Sequence, residues 1–219
     1  MKHISAEEAM RYMGAGAGDE DLRKETQRIA EELEKRIRPK HTWRAVPIRQ
    51  EAEGILLVGT ALLLTGRMAK RMLSECHTAV LMACTLGAEY DAMARSTEAR
   101  DMARAVMLDA CAGAWVEQGC DEAEAEIAAR FPGSFLTDRF SPGYGDLPLD
   151  AQRTLLAALD AERRLGITLT DSLLMIPAKS VTAILGVSDR PQPARIRGCA
   201  YCALRERCTY RKRGKNCGE

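Results

Sequence analysis

Residues 78–86, Thr-Ala-Val-Leu-Met-Ala-Cys-Thr-Leu, form an unbroken apolar run of strand length that Gly87 closes. A run without polar alternation suits a central strand buried on both faces. Residues 88–130 follow with helical composition and few breakers, and Met93, Ala103, Met107, Ala110 and Ala114 supply small and flexible packing positions. Two long helices are expected there. A buried strand feeding long helices calls for layers of sheet and helix.

The flanking segments extend that architecture. Ser5-x-x-Glu8 is a capping box that opens a short helix over residues 7–13, and the glycine run of residues 14–18 stops it. No strand precedes those glycines and neither the dinucleotide nor the Walker pattern is complete, so they form a turn. Residues 19–38 carry Leu22, Ile29, Leu33 and Ile37 at helical spacing before Pro39. Residues 42–48 and 54–64 read as two or three strands turning at Gly59 and Gly66, and residues 66–74 as a short helix. Residues 135–148 are too rich in proline and glycine for a regular element. Residues 149–164 read as one helix, and residues 167–169 and 181–187 as strands flanking Met175-Ile176-Pro177. The expected fold is α+β, with helices packed on a mostly antiparallel sheet.

The chain has 219 residues, 46% of them hydrophobic and 29% charged, which excludes disorder, collagen-like repeats and coiled coil. Its longest apolar stretch, residues 54–65, is too short to span a bilayer, and the first eight residues carry acids where a signal peptide has its apolar segment. A cytoplasmic protein without membrane partners is expected. Net charge is +1, but residues 195–219 hold eight Lys or Arg against two Glu, a net of +6 over a body at −5. Residues 1–188 are therefore expected to form the body, residues 189–194, with Pro191 and Pro193, a linker, and residues 195–219 a basic tail.

Eight cysteines in a reducing compartment are read for metal or redox chemistry before disulfides. Cys76, Cys84, Cys111 and Cys120 stand singly among apolar and small residues and receive no chemical role. Cys199, Cys202, Cys208 and Cys217 crowd into the tail with the spacing C-x2-C-x5-C-x8-C, and four thiolates at such spacing close a tetrahedral site. Zinc and a [4Fe-4S] cluster both accept this ligand set, and unliganded thiols are the third reading.

The segment Arg139-Phe140-Ser141-Pro142-Gly143-Tyr144-Gly145-Asp146 suits a small zwitterionic ligand, because a guanidinium grips a carboxylate by two parallel hydrogen bonds and a tyrosine ring face attracts a cation. Arg139 and Tyr144 are expected to project from a rigid, exposed loop. The alternative is a structural turn in which Arg139 pairs with a neighbouring acid. The acids of residues 121–126 mark a solvated helix face, and nothing resembles a nucleophilic triad.

Arg139-x-Ser141-Pro142-Gly143-Tyr144, followed by Leu165-Gly166-Ile167-x-Leu169-Thr170-Asp171-Ser172-x-x-Met175-x-Pro177-x-x-Ser180-Val181-x-Ala183, resembles the activation domain of vitamin B12-dependent methionine synthase, and most closely the short stand-alone members of that family. The likeness extends upstream through Arg11-Tyr12-Met13-Gly14, Ile37-Arg38-Pro39, Ala83-x-Thr85-Leu86-Gly87 and residues 109–121, covering most of residues 7–187. The resemblance implies a domain that binds S-adenosylmethionine and presents it to a cobalamin held elsewhere, so that cob(II)alamin is reduced and remethylated. It maps the family's Arg-x-x-x-Gly-Tyr grip onto Arg139, Gly143 and Tyr144, with Ser141 at a backbone contact and Tyr144 as the catalytic side chain lining the path toward cobalt. It implies that an acid of the long helix holds the ligand's amino group, Glu117 or, one turn on, Asp121. The ligand cleft is expected between the Arg139 loop and that helix. Larger members continue beyond the point matched by residue 187, so a more open pocket or lower affinity is expected. No Asp-x-His-x-x-Gly cobalamin signature occurs, the histidines being His3, His41 and His77, so the corrinoid is expected on a partner, a methionine synthase or related methyltransferase. Low-potential electron delivery tips the tail toward [4Fe-4S] over zinc and implies a low-potential electron donor, because zinc has no redox chemistry. The competing function is a zinc-knuckle module contacting nucleic acid or a protein, but with only Tyr201 and Tyr210 for stacking in the tail, nucleic acid is not the expected partner.

Overall fold

The computed structural model describes residues 3–15, 19–191, 206 and 209–212. Helix α1 (Ala6–Tyr12) starts at Ser5, whose Oγ accepts the Glu8 amide at 3.3 Å, and α2 (Glu20–Arg36) starts at Asp19, whose carboxylate accepts the Leu22 amide at 2.9 Å. Glu20 and Asp21 in the first turn of α2 and Lys35 and Arg36 in the last complement the helix dipole. The chain continues through β1 (Lys40–Gln50), β2 (Ile55–Leu57), β3 (Leu63–Leu64), α3 (Gly66–Leu73), β4 (Thr78–Thr85), α4 (Gly87–Glu98) and α5 (Met102–Arg130). After α5 come β5 (Phe135–Leu136), α6 (Ala151–Leu159), α7 (Ala161–Leu165), β6 (Thr168–Leu169), β7 (Met175–Ile176), β8 (Ser180–Ser188) and, in the tail, α8 (Thr209–Lys212).

Six strands form one sheet in the order β3-β2-β1-β4-β8-β5, and β6 and β7 form a separate antiparallel ribbon. Ile48 faces Leu57, Ile55 faces Leu64 and Leu136 faces Val187 across antiparallel pairs. The inner position of β4 explains its composition, since every residue from Ala79 to Thr85 is buried. The fold is α+β with an antiparallel sheet, as expected.

The chain divides into two compact units. The first comprises Met1–Arg44, Met82–Ile127 and Gln152–Thr182. Its core includes Ile29, Leu33 and Trp115, whose indole N–H donates to the Ile37 carbonyl at 2.9 Å. Gly119 of α5 lies directly against Pro39 and Cys84, and Arg104 bridges Glu25 and Glu32 of α2. The second unit comprises Ala45–Leu81, Ala128–Ala151 and Ala183–Glu219. It buries Leu57, Leu64, Met72 and Leu73, and Gly186 admits Cys76 and Leu73 against the backbone of β8.

The structure corrects four local expectations. Residues 149–164 form two helices, because Asp160 adopts the left-handed conformation (φ 52°) between α6 and α7. Residues 135–148 include β5, and Met175–Ile176 is a strand, each formed through long-range pairing rather than local propensity. Ala103 is exposed and Met107 only half-buried, while Ala105, Leu108 and Cys111 face inward. The alanine-rich composition of α5 leaves its buried face poorly marked. The four scattered cysteines are buried. No helix of the described residues is long and apolar enough to cross a membrane.

Candidate functional site

The Arg139 loop lies in the second unit. Phe140 and Ile184 exchange two backbone hydrogen bonds of 3.0 and 2.7 Å, which carries sheet pairing past β5. The backbone then folds on itself, with the Tyr144 amide donating to the Ser141 carbonyl at 3.0 Å and the Gly143 amide to the Leu147 carbonyl at 2.9 Å. Gly143 (φ 89°) and Gly145 (φ 56°) take up the left-handed conformations this path needs. Asp146 fastens the far end of the loop, its two carboxylate oxygens accepting the Arg67 and Met68 amides at 2.7 and 2.8 Å at the start of α3. Those amides hold the Asp146 carboxyl below its ordinary value.

The expected exposure is half right. Tyr144 projects, 54% exposed, but Arg139 is 8% exposed, because it precedes a sheet-paired residue rather than standing in an open turn. Ser141 is half-buried and Gly143 exposed.

The first unit contains a cavity of about 680 Å³ lined by Tyr12 of α1, by Met102, Asp109, Gly113 and Glu117 of α5, and by Lys179 just before β8, among others. The Lys179 ammonium lies 2.8 Å from Asp109 Oδ1, which also accepts from the buried Tyr90 hydroxyl at 3.4 Å. Burial, and then the Asp109 charge, push the Tyr90 phenol up. Burial raises the Tyr12 phenol to about 12, helped by Glu8, whose carboxylate accepts its hydroxyl at 3.1 Å. Glu117 lines this cavity, whereas Asp121, one turn on, lies exposed. The predicted residues thus divide, with Glu117 in the first unit and Arg139, Ser141, Gly143 and Tyr144 together in one loop of the second. Cys199, Cys202, Cys208 and Cys217 lie outside the described residues, and among the described residues no group of three or more His, Cys, Asp or Glu could hold a metal ion.

Sequence reasoning did not single out Asp109, Lys179 or Asp146. An Asp between glycine and proline-rich turns is a capping signal that could have pointed to Asp146, whereas Lys179 carries no local signal and acquires its partner through tertiary packing.

The family model described as "Vitamin B12 dependent methionine synthase, activation domain" matches residues 75–195, more than half of the chain. The chain belongs to this activation domain family. The matched segment takes in β4, both long helices, the Arg139 loop and β8. No curated protein matches the sequence. A solved structure described as the MetH reactivation domain bound to AdoHcy is similar over 95% of this chain and 77% of its own, with a TM-score of 0.62 and 18% identity. At that identity the likeness is one of fold, and this activation domain shares its α+β architecture.

Proposed function

We propose that this activation domain binds S-adenosylmethionine and supports reductive remethylation of cob(II)alamin carried by a partner, a methionine synthase or related corrinoid methyltransferase. The observation that carries the reading is the family match, which includes the whole loop from Arg139 to Tyr144. The neighbour's description names AdoHcy, the demethylated form of the same ligand. When bound, S-adenosylmethionine supplies a sulfonium methyl group. Arg139 takes its carboxylate and Glu117 its ammonium, while Ser141 and Gly143 offer backbone contacts. Tyr144, exposed at the loop surface, lines the approach to cobalt as the catalytic side chain. The loop suits such a ligand, since Gly143 and the Tyr144 ring are exposed and the same loop carries the Arg139 guanidinium. The contribution of the chain is positioning, which converts an encounter into a local reaction.

Calorimetric titration of the anaerobically purified full chain with S-adenosylmethionine tests this. Saturable binding that Arg139→Ala abolishes is expected, and equal binding by the variant overturns the assignment.

We also propose that residues 1–188 form a body joined through residues 189–194 to the tail, and that Cys199, Cys202, Cys208 and Cys217 hold a [4Fe-4S] cluster, with zinc as the alternative metal. Supporting this are four thiols at metal-binding spacing and the need for low-potential electrons. Metal analysis with visible absorbance distinguishes iron from zinc. A chain with neither metal when purified anaerobically overturns the tail assignment.

A further inference from the structure

Charge divides between the two units. The second holds 15 Lys or Arg against 9 Asp or Glu, a net of +6, whereas the first holds 17 against 22, a net of −5. Part of the positive excess is displayed beside the Arg139 loop. Helix α3 buries Ala69, Met72 and Leu73, which leaves Arg67, Lys70 and Arg71 exposed with no acid among its eight residues. The Arg67 side chain is 99% exposed. Of the acids on the adjoining segments, Asp146 is engaged by the α3 amides, Glu75 follows the helix and Asp150 precedes α6. The loop lies directly against α3, since a Cβ at Gly145 would sit 3.0 Å from Met68 Cε. Pro142 and Leu147 are buried and anchor the loop, while Tyr144 and Leu149 are 54% and 44% exposed. Leu149 reaches back to the loop, its Cδ1 lying 3.4 Å from where a Gly143 Cβ would be. An exposed aromatic ring on a fixed loop, an apolar neighbour and cations at the edge suit a protein-docking face, because aromatic anchors carry affinity while rim charges set the association rate and select the sign of the partner.

We propose that Tyr144 and Leu149, edged by Arg67, Lys70 and Arg71 of α3, form the docking face for the protein that carries the corrinoid, and that this carrier presents an acidic patch to α3. The identity of the occupant rests on the reading given under Proposed function, in which Tyr144 lines the approach to cobalt, so that the carrier has to cover it. The sign of its surface is independent of that reading and follows from the cations of α3 and the net charge of the unit. Exposed charges of this kind act through water, so they speed the encounter and lose their effect as salt rises. A nucleic-acid strand would need a longer basic track and more stacking rings than α3 and Tyr144 supply.

Surface-plasmon kinetics of the full chain against the cobalamin-loaded methionine synthase and corrinoid methyltransferases of the same organism, over a range of salt, test this with wild type, Lys70→Glu, Lys70→Arg and Leu149→Ser. Duplex DNA is the competing probe, and S-adenosylmethionine calorimetry on the same chains reports the ligand site separately. One carrier is expected to associate with wild type at a rate that falls as salt rises. Lys70→Glu should slow that association by about ten-fold at low salt, with the gap closing at high salt, and Lys70→Arg should keep the wild-type rate. Leu149→Ser should speed dissociation and leave the association rate nearly unchanged. Lys70→Glu should bind S-adenosylmethionine as wild type does. Association that responds neither to salt nor to Lys70→Glu, or duplex DNA that displaces the carrier from the same face, overturns the inference. Failure of every carrier to associate, with S-adenosylmethionine still bound, overturns the docking face and leaves the ligand assignment standing. Docking that depends on Lys70 in a chain that does not bind S-adenosylmethionine supports the face and overturns the ligand assignment.

Discussion

At the scale of single residues, Asp146 connects loop geometry to pH. Its carboxylate is the joint between the Arg139 loop and the first turn of α3, and the two backbone amides it accepts favour its charged form. Because its folded pKa lies below the ordinary 3.8, this contribution to stability is complete above that value and is lost as pH falls through the lower folded value. Asp146→Asn should therefore be less stable than wild type at neutral pH, with the gap closing in acid. Denaturant unfolding at pH 7 and at pH values stepped below 3.8 measures the gap. A gap that stays constant across the series would show that the charge is irrelevant to the joint. The Arg139 loop was legible in sequence because proline, glycine and arginine occur there as a motif. The burial of Arg139 was not, since it follows from the pairing of Phe140 with Ile184, far apart in the chain.

At the scale of elements, α5 holds two glycines with opposite expected responses. Glycine in a helix interior costs about 1 kcal/mol relative to alanine, so substitution by alanine should stabilise wherever space allows. At Gly113 it does, because the added methyl would meet the Tyr12 ring at 3.5 Å, an ordinary contact. Gly113→Ala should raise stability by about 0.5 to 1 kcal/mol. At Gly119 the methyl would lie 2.5 Å from Pro39 Cβ and 2.7 Å from Cys84 Sγ, both in packed surroundings. Overpacking of this kind costs about 1 to 3 kcal/mol and outweighs the helical gain. Gly119→Ala should be destabilised, and urea unfolding of the pair tests both signs together. A Gly119→Ala chain as stable as wild type would mean that α5 shifts freely. The helix itself was readable from residues 88–130, since few breakers interrupt it, but the close approach at Gly119 has no sequence signal. The break at Asp160 and the short strands β5 and β7 were missed for a related reason, since two-residue strands exist only through their partners.

At the scale of the whole molecule, the eight cysteines form two populations. Burial pushes the Cys76 thiol up to about 11 and the Cys111 thiol to about 12, and Cys84 and Cys120 are also buried, so none of the four presents its sulfur to a reagent in solution. Alkylation of the native chain followed by mass spectrometry should leave these four unmodified until denaturant is added. Rapid native labelling of any of them would contradict their place in the core. The sequence by itself determined the layered α+β class, the long helices, the buried cysteines and the family, because these depend on composition, period and motifs carried by neighbouring residues. Tertiary structure alone decided the division into two units, the burial of Arg139, the joint at Asp146 and the meeting of Asp109 with Lys179 and Tyr90. Each of those joins residues far apart in the chain, and local propensity says nothing about which distant side chain will be brought within reach of a charge.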